Sequence, residues 1–477
     1  MTNNNNEHSC VLGMIGLGVM GRNLLLNMAD HGFTVAGFDK DKTKVASLQN
    51  ESKQNIYGAT NLEDFLKLLK TPRVIMMLVP AGKPVDDVIS ELTPHLQAGD
   101  IIIDAGNSHF TDTNARAQQL QKSGIQLLGV GISGGEEGAR LGPSIMPGGS
   151  KEAYQHVRPI FEAVAAKIGN EPCVTYLGTG AVGHYVKMVH NGIEYGIMQM
   201  IAETYDLMKR GLSLSNDQLH DVFHSWNDSE LNSYLVEITS RIVGKLDDKT
   251  GKHLLDEIRS IARQNGTGMW TSQSAMELQV PCPTIDVAVS MRDLSVLVKE
   301  REQANTLYKR PIAPYKDDQT EFLQQLQSAL LMGMIITYAQ GFAILQVASD
   351  KYNYQLDLSA VARIWRGGCI IRAKLLEDIY NAFQLNNNLP NLLLDPALSK
   401  IIMSHQENLR QVVCHASSLG ISASTLMATL SYFDAYRSTW QPANLIQAQR
   451  DYFGSHTYER TDAEGWFHTE WEKDLST

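Results

Sequence analysis

Cysteine is scarce in this chain of 477 residues, and its five cysteines lie far apart in the sequence. They are odd in number, and no two have the spacing of a metal-ligating pair: Cys10, Cys173, Cys282, Cys369 and Cys414. The pattern argues against a disulfide framework and against a metal centre built on cysteine. We therefore expect reduced thiols in a cytoplasmic protein that uses no metal.

An excess of positive charge is also lacking. The chain carries 41 Lys and Arg against 52 Asp and Glu, which gives a net charge of −11, and its pI is about 5.7. Such a balance provides no general attraction to nucleic acid or to an anionic membrane. We expect neither a nucleic-acid partner nor a membrane.

Long uninterrupted apolar runs are missing as well. Residues 1–10 lack the apolar core of a signal peptide, and we interpret them as a short disordered segment ahead of the first strand. The most apolar stretch, residues 329–348, is interrupted at Thr337, Gln340 and Gly341. It predicts a buried helix and not a membrane span.

A glycine turn follows the first apolar stretch. Residues 10–15 and 33–38 predict two strands, and a helical pattern that ends at His31 lies between them. The first strand and the helix are joined by the Gly-x-Gly-x-x-Gly motif, formed by Gly16, Leu17, Gly18, Val19, Met20 and Gly21. With Asp39 after the second strand, this order predicts a dinucleotide-binding unit, in which the glycines let the backbone approach a pyrophosphate. An ordinary glycine turn is the alternative.

Further apolar runs predict buried strands at residues 74–79, 101–103 and 125–130. Continuous apolar strands that alternate with helices predict a doubly wound, mostly parallel sheet. In such a sheet, ligands bind in the loops that follow the strands. Residues 129–149 hold eight glycines, which would allow another group to approach the backbone closely. A flexible surface loop is the alternative for this region.

Helical patterns dominate from about residue 181 onward. We predict a Rossmann-like α/β domain at residues 1–180, a large all-α substrate and dimerisation domain at 181–440, and an extended C-terminal tail at 441–477. The tail contains aromatic residues but little amphipathic order. We expect it to pack on another surface, such as a partner subunit, and a disordered terminus is the alternative.

The stretch from Gly178 to Tyr195 passes from glycines into a long predicted helix with an unusual polar face. Four side chains share that face at spacings i, i+3, i+4 and i+7: Lys187, His190, Asn191 and Glu194. The flanking residues are mostly apolar, so the face has no room to be a free outer surface. Buried Lys and Glu are costly unless they are paired or used in chemistry, which predicts a functional site. A solvated face is the alternative.

Several motifs together resemble one enzyme family over almost the whole chain. They read GLGVMGRNLLLNM, DAGNS, SGGEEGARLGPSIMPGG, GHYVKMVHNGIEYG, GTGMWTSQSA, RGGCIIRA, NLIQAQRDYFGSHTYER and GWFHTEW. The sequence resembles the long-form decarboxylating 6-phosphogluconate dehydrogenases of the β-hydroxyacid dehydrogenase superfamily. The resemblance implies oxidative decarboxylation of 6-phospho-D-gluconate to D-ribulose 5-phosphate and CO2, with reduction of NAD(P)+, in the pentose phosphate pathway.

The resemblance also implies the roles of two residues on the predicted helix. Lys187 would take the C3 hydroxyl proton as general base and, once protonated, would polarise the carbonyl during decarboxylation. Glu194 would protonate the resulting enediol. A β-keto acid needs only an electron sink to lose CO2, so a cation suffices in place of a metal. A lysine base needs a lowered pKa, which we expect from burial and from a nearby helix N-terminus.

Other site residues are implied by the same resemblance. The substrate contacts would be Asn107, Ser133, Gly134, Gly135, His190 and Asn191, with Tyr195 and Arg292 at the phosphate end. Arg450 and His456 of the tail would reach the other subunit's site, which implies a homodimer. The cofactor contacts would be residues 16–21, Asp39, Lys40, Asp41, Val79, Pro80, Ala81 and Asn107.

One departure from the family pattern concerns the cofactor. Members that use NADP usually carry Asn-Arg-Ser or Asn-Arg-Thr after the second strand, where this chain has Asp39-Lys40-Asp41. An acid at this position accepts from a ribose 2′-hydroxyl and repels a 2′-phosphate, so we expect NAD to be preferred. Gly18 and Pro80 also depart from the NADP pattern. Dual use of NAD and NADP, helped by Lys40, Lys42 and Lys44, is the alternative.

A second departure concerns the phosphate. The family's lysine before Gly-Thr-Gly is Asn265 here, and Met269 replaces the lysine that follows the same motif. Weaker substrate affinity, or substitution by Arg263, would follow. One rival function is an NAD-dependent dehydrogenase of an unphosphorylated sugar acid such as gluconate. Another is a catalytically inactive dinucleotide-binding sensor.

Overall fold

The structure is a computed structural model, and it describes residues 9–51, 54–312 and 315–472. Our interpretation of the extreme N-terminus falls largely on residues 1–8, which lie outside the described residues, as do residues 473–477 of the predicted tail. The chain forms two compact units, residues 1–429 and 430–477, and each is described by itself. The three-part domain division predicted above stays a prediction.

A seven-stranded sheet forms the N-terminal part of the first unit within the described residues. Its strands are β1 (Leu12–Ile15), β2 (Val35–Phe38), β3 (Ile56–Ala59), β4 (Val74–Met77), β5 (Ile101–Asp104), β6 (Gln126–Ser133) and β7 (Ser144–Gly149). Their order is β3-β2-β1-β4-β5-β6-β7. All neighbouring pairs from β3 to β6 are parallel, and β7 runs antiparallel to β6. The predicted doubly wound, mostly parallel sheet is confirmed.

Helices cover both faces of the sheet, because nearly every strand residue is apolar and needs burial on its own side. They are α1 (Val19–Asp30), α2 (Lys42–Glu51), α3 (Leu62–Lys67), α4 (Lys83–Leu92), α5 (Phe110–Gln121), α6 (Gly135–Leu141) and α7 (Lys151–Val164). Buried side chains of α1, α2 and α7 form the apolar core on one face. Those of α3, α4 and α5 form the core on the other face.

Two strands of this sheet lie outside the sequence prediction. β3 is mostly half-buried and carries a weak apolar signal, and β7 reads Ser-Ile-Met-Pro-Gly-Gly, in which proline and glycine resemble a turn. Proline is tolerated in β7 because that strand is the edge of the sheet. The glycine-rich region at 129–149 is therefore two strands and a helix, and the alternative of a flexible surface loop is wrong.

The remainder of the described chain is helical after a short antiparallel pair, β8 (Lys167–Ile168) and β9 (Glu171–Pro172). The helices that follow are α8 (Val182–Asp206), α9 (Asn216–Asn227), α10 (Tyr234–Gly244), α11 (Leu254–Glu257), α12 (Thr267–Glu277), α13 (Pro283–Ser295), α14 (Val298–Leu307), α15 (Gln319–Lys351), α16 (Leu358–Trp365), α17 (Leu375–Leu385), α18 (Pro396–Leu419), α19 (Ser424–Tyr436) and α20 (Ala443–Gly454). Short helical turns of other types lie at Thr93–His95, Leu207–Gly211 and Leu392–Leu394.

Helix α15 contains the most apolar stretch of the chain. By length and composition it could cross a membrane, but 89% of its most apolar window is buried inside the protein. It packs against α8 and α18. Burial among other helices explains its composition, and the predicted buried helix is confirmed.

Helix α8 lies directly on the sheet with no side chain between them at its start. A Cβ atom at Gly131 of β6 would lie 2.4 Å from the Cβ of Lys187, and one at Gly183 would lie 2.2 Å from the carbonyl oxygen of Gly129. Real Cβ atoms do not approach so closely. The glycines of β6 and α8 therefore set how deeply the helix sits against the sheet.

The second unit contains the end of α19, helix α20 and an extended segment. Residues 441–477 show little amphipathic order, so the sequence did not predict α20. Asp451 of α20 is fully buried and accepts hydrogen bonds from the Thr457 and Thr469 amides at 3.0 Å, from His468 Nδ1 at 2.9 Å and from Trp471 Nε1 at 2.9 Å. This one carboxylate therefore fixes the course of the chain that follows the helix.

Candidate active site

The four polar residues of the predicted face lie on α8, and most of them are buried. Lys187, His190 and Asn191 are at most 9% exposed, and the Glu194 side chain is 21% exposed. The solvated-face alternative is therefore wrong. An amine, an imidazole and an amide are held together in an apolar interior, with a carboxylate one to two turns further along the helix.

Burial moves the pKa of Lys187 and that of Glu194 in opposite directions. Desolvation lowers the pKa of Lys187, partly opposed by the Glu194 carboxylate. Desolvation raises the pKa of Glu194, partly opposed by the cations of Lys187 and Arg292. Lys187 lies in the second turn of α8, whereas the helix dipole acts mainly within the first turn, so burial is the physical cause that we assign. Both shifts favour the neutral forms, a free amine and a protonated carboxyl.

His190 joins α8 to the end of β6. Its Nε2 lies 3.2 Å from Ser133 Oγ, and its Nδ1 lies 3.0 Å from Asn191 Oδ1. Burial and the Lys187 cation hold the pKa of His190 well below its usual value, so the ring is neutral. Ser133 Oγ also accepts from the Ile370 amide at 3.3 Å. The structure thus brings Ser133, His190 and Asn191 together, as predicted.

The loop of Ser133 is shaped by its two glycines. Gly134 has φ +126° and Gly135 has φ +61°, and a Cβ at Gly134 would lie 2.6 Å from the Gly368 carbonyl oxygen. The segment that contains Gly368 and Ile370 therefore lies directly against this loop. That segment carries the RGGCIIRA motif, but no site residue was predicted in it, because its approach to Ser133 depends on tertiary packing.

Tyr195 and Arg292 form a pair beside Glu194. The Arg292 guanidinium lies over the Tyr195 ring at 3.3 Å from its centroid, and α12 packs against the same ring through Gly268. The predicted phosphate-end residues therefore meet across α8 and α13. Asn265 and Arg263 are exposed, and the substitution of Arg263 for a phosphate-binding lysine stays a prediction.

A cavity of about 340 Å³ lies over the glycine turn. Residues from the turn, from the loops after β4 and β5 and from β6 line it: Gly18, Val19, Met20, Gly21, Leu78, Val79, Pro80, Ala81, Ala105, Gly106, Asn107 and Ile132. Helix α1 begins there with no side-chain cap and no acidic residue in its first turn, which leaves its amides free for an anion. Nothing lies within 4 Å of a Cβ placed at Gly18, so the turn is open towards the cavity. These features fit a pyrophosphate and the groups attached to it.

A second cavity, of about 270 Å³, lies on the other side of Gly16. Apolar side chains and three carboxylates line this cavity. The lining residues are Ile15, Gly16, Phe38, Asp39, Lys40, Leu62, Val79, Pro84, Asp87, Val88, Glu91 and Leu92. An apolar slot edged by acids suits a flat base with a hydroxylated sugar. The sequence did not predict that residues of α4 would line this cavity. Helix α4 follows β4, and β4 lies next to β1 only in the folded sheet.

Asp39 lies at the rim of the second cavity with its side chain 13% exposed. Its carboxylate accepts from the amides of Leu17 and Asp41, each at 2.9 Å, and from Lys44 Nζ at 3.3 Å. Lys40 Nζ is 2.6 Å from Glu91 Oε1. Of the three lysines that could bind a 2′-phosphate, Lys40 and Lys44 are therefore already paired with carboxylates.

Arg450 and His456 lie in the second unit. Arg450 donates to Gln447 Oε1 at 3.0 Å, and His456 is exposed and packs edge-on against Phe453. Their approach to the site of a partner subunit stays a prediction. In the part of the chain that the structure describes, no group of three or more His, Cys, Asp or Glu side chains could hold a metal ion.

Comparison with known proteins matches two domain families along the chain. Residues 11–178 match the NAD binding domain of 6-phosphogluconate dehydrogenase, and residues 183–471 match the 6-phosphogluconate dehydrogenase C-terminal domain. The NADP(+)-dependent, decarboxylating 6-phosphogluconate dehydrogenase of Bacillus subtilis is 50% identical, over 97% of this chain and 99% of that protein. The decarboxylating enzyme of Escherichia coli is 49% identical, over 96% and 98%.

A solved structure gives the same result. Plasmodium falciparum 6-phosphogluconate dehydrogenase, described in apo form and in complexes with NADP+ and with 6-phosphogluconate, matches with a TM-score of 0.94 and 44% identity, covering 97% of this chain and 100% of that one. The fold and the site thus define a dinucleotide-binding oxidoreductase. The chain belongs to the family of decarboxylating 6-phosphogluconate dehydrogenases.

Proposed function

We propose that this protein converts 6-phosphogluconate to ribulose 5-phosphate and CO2, with Lys187 and Glu194 as the two groups that move protons. The activity follows from membership of the family. The opposite pKa shifts of these two residues on one buried helix face are the observation that carries the assignment of roles. Bound nicotinamide supplies the hydride acceptor.

The base in this scheme is Lys187. As a neutral amine it accepts the proton of the C3 hydroxyl while the hydride leaves C3. Protonated Lys187 then draws electron density onto the C3 carbonyl oxygen as the C1 carboxylate leaves as CO2. Neutral His190 and Asn191 act as hydrogen-bonding partners for the substrate hydroxyls beside it, together with Ser133. Asn107, Gly134 and Gly135 are included among the substrate contacts because they match the family's motifs.

The acid in this scheme is Glu194. Burial raises its pKa, which favours the protonated form that delivers a proton to the enediol carbon that becomes C1 of ribulose 5-phosphate. Arg292 and Tyr195 hold the phosphate end, where a guanidinium fork suits phosphate oxygens. Arg450 and His456 complete this end from the partner subunit of a homodimer.

The cofactor site consists of the two cavities and the glycine turn between them. Residues 16–21 receive the pyrophosphate at the start of α1, and Val79, Pro80, Ala81 and Asn107 border the nicotinamide half. We propose that NAD is preferred over NADP. Asp39, Asp87 and Glu91 place three carboxylates around the adenosine half, and Lys40 is engaged with one of them. Each of these carboxylates is paired with a lysine, Asp39 with Lys44, Glu91 with Lys40 and Asp87 with Lys83. A 2′-phosphate would have to compete with the carboxylates for these lysines, whereas a 2′-hydroxyl could donate to Asp39. Asp41 would add a further carboxylate next to Asp39, to which its amide donates at 2.9 Å.

The decisive experiment is a steady-state assay on 6-phosphogluconate with NAD and NADP in parallel, with release of CO2 followed. We expect turnover with both products formed, and a higher kcat/KM for NAD. A clear preference for NADP would contradict the cofactor proposal alone. Turnover of gluconate in place of 6-phosphogluconate would favour the unphosphorylated sugar acid, and binding of cofactor without any turnover would favour the inactive sensor. We also propose a cytoplasmic location.

A further inference from the structure

Arg116 of α5 is a buried cation that the proposed chemistry does not use. It is 5% exposed, and its guanidinium reaches two separate segments of the chain. Nε donates to Asp86 Oδ1 at 2.7 Å, and Nη2 donates to the Gly82 carbonyl oxygen at 3.1 Å. Nη1 donates to Asp104 Oδ2 and to Ser108 Oγ, each at 3.3 Å.

These contacts join the two loops that line the cavity over the glycine turn. Gly82 ends the loop after β4, and Asp104 with Ser108 brackets the loop after β5. Asp104 also accepts from the Ser108 hydroxyl at 2.6 Å and from the Gly106 amide at 3.1 Å, so its carboxylate shapes the second loop from inside. One guanidinium therefore fixes both loops relative to each other.

The same helix also holds the start of the catalytic helix. Thr113 Oγ1 lies 2.7 Å from His184 Nδ1, and Asn114 Oδ1 accepts from the Ala181 amide at 3.1 Å. His184 precedes Lys187 by one turn of α8. Helix α5 thus contacts the cofactor-lining loops through Arg116 and the base-bearing helix through Thr113 and Asn114.

A stability role alone is a poor explanation for this arrangement. Burying a charged pair costs desolvation energy that its attraction barely recovers, and apolar replacements of buried pairs are often as stable. An arginine guanidinium is planar and has several N–H donors in fixed directions, so it is suited to holding its hydrogen-bond acceptors in a defined geometry. We propose that Arg116 is a positioning residue, which sets the place of the cofactor relative to Lys187 by fixing the loops after β4 and β5.

The test uses two variants in which the replaced side chain keeps a similar size, so that neither leaves a cavity. Arg116→Lys retains the charge but cannot make the forked contacts, and Asp86→Asn removes a carboxylate whose side chain is 56% exposed. Arg158→Lys is the matched control, because Arg158 is exposed on α7 and pairs only with Glu162 among the contacts described for it. Dissociation constants are measured by equilibrium titration, for NADH and NADPH without substrate and for 6-phosphogluconate without cofactor.

We expect Arg116→Lys to weaken cofactor binding about tenfold, as loss of a charged hydrogen bond does, and to leave 6-phosphogluconate binding within about twofold. Its kcat should fall by up to roughly 100-fold, because a misplaced cofactor lengthens the path of the hydride. Asp86→Asn should show smaller changes in the same direction, and Arg158→Lys should match the wild type.

Equal cofactor affinity in Arg116→Lys and wild type would overturn the inference, whatever the melting temperature does. Equal losses of cofactor and substrate affinity would also overturn it, since they indicate general loosening. If Arg116→Lys does not fold, Asp86→Asn decides by the same criteria. The inference rests on the proposed cofactor site. If the wild type bound neither NADH nor NADPH, that proposed site itself would be wrong. The titrations measure the effect of Arg116→Lys on cofactor binding even in a protein that shows no turnover.

Discussion

Lys187 and Glu194 lie two turns apart on α8, and the same buried environment lowers the pKa of one and raises the pKa of the other. Each is thereby driven towards its neutral form, the form in which an amine accepts a proton and a carboxyl donates one. A single helix face therefore holds an amine and a carboxyl whose pKa values are shifted towards each other.

Replacing Lys187 by alanine tests the base. We expect Lys187→Ala to lower kcat by about 10² to 10⁴, the usual contribution of a positioned proton-transfer group. Cofactor affinity should be unchanged, since Lys187 does not line either cavity described above. Lys151→Ala is the control, because Lys151 is exposed at the start of α7. Turnover of Lys187→Ala at the wild-type rate would refute the assignment.

The pH profile tests the pair together. Lys187 must be neutral to accept a proton, so kcat should fall as the pH drops through its lowered pKa. Glu194 must be protonated to donate, so kcat should also fall as the pH rises through its raised pKa, which gives a bell-shaped profile. Glu194→Gln should lower kcat by about 10² and remove the alkaline limb. If Glu194→Gln keeps the alkaline fall in kcat, that fall arises from another titrating group.

Asp39 tests the choice of cofactor. Asp39→Asn keeps the shape of the side chain and an oxygen acceptor for the Leu17 amide, but removes its negative charge. We expect the ratio of kcat/KM for NAD to that for NADP to fall about tenfold, which corresponds to about 1.4 kcal/mol. Asp248→Asn, with a side chain 93% exposed, is the control. An unchanged ratio would remove Asp39 from the specificity site.

Gly131 tests the contact between sheet and helix. Gly131→Ala places a methyl group 2.4 Å from the Lys187 Cβ, so the helix must shift. Overpacking of this kind costs about 1–3 kcal/mol, measured as the change in the free energy of unfolding in urea, and kcat should fall with it. Gly18→Ala meets nothing within 4 Å and should leave the free energy of unfolding unchanged. Equal stability of the two variants would contradict the close packing.

Asp451 tests the organisation of the second unit. Its hydrogen bonds, above all the one from His468, lower the pKa of its carboxyl to about 2 despite the opposing effect of burial. Because the unfolded value is about 3.9, this contribution to stability is fully present above about pH 4 and is lost as the pH falls towards about 2. At neutral pH, Asp451→Asn should speed hydrogen exchange at the Thr457 and Thr469 amides, and Asp462→Asn is the control. Unchanged protection of both amides would show that other contacts hold the segment.

Much of the site was predictable because its chemistry is local in the sequence. Lys187, His190, Asn191 and Glu194 share one helix, so their spacing alone placed them on one face. The strands next to the glycine turn were apolar and continuous, which predicted a parallel sheet. What sequence could not provide were partners brought in by topology: α4 at the second cavity, the segment of Ile370 at Ser133, and the antiparallel β7, whose proline and glycines resemble a turn.

The close packing of β6 against the start of α8, through glycines, has a consequence for engineering this enzyme. A Cβ atom at Gly131 would meet Lys187 and one at Gly183 would meet the backbone of Gly129, so α8 has no room to move closer to the sheet, and an added atom at either glycine displaces the helix that carries Lys187. If the proposed phosphate end is correct, substrate range is better altered at Asn265 and Met269, whose side chains are exposed and can change length. Libraries that randomise the glycines would mostly sample displaced bases and inactive protein.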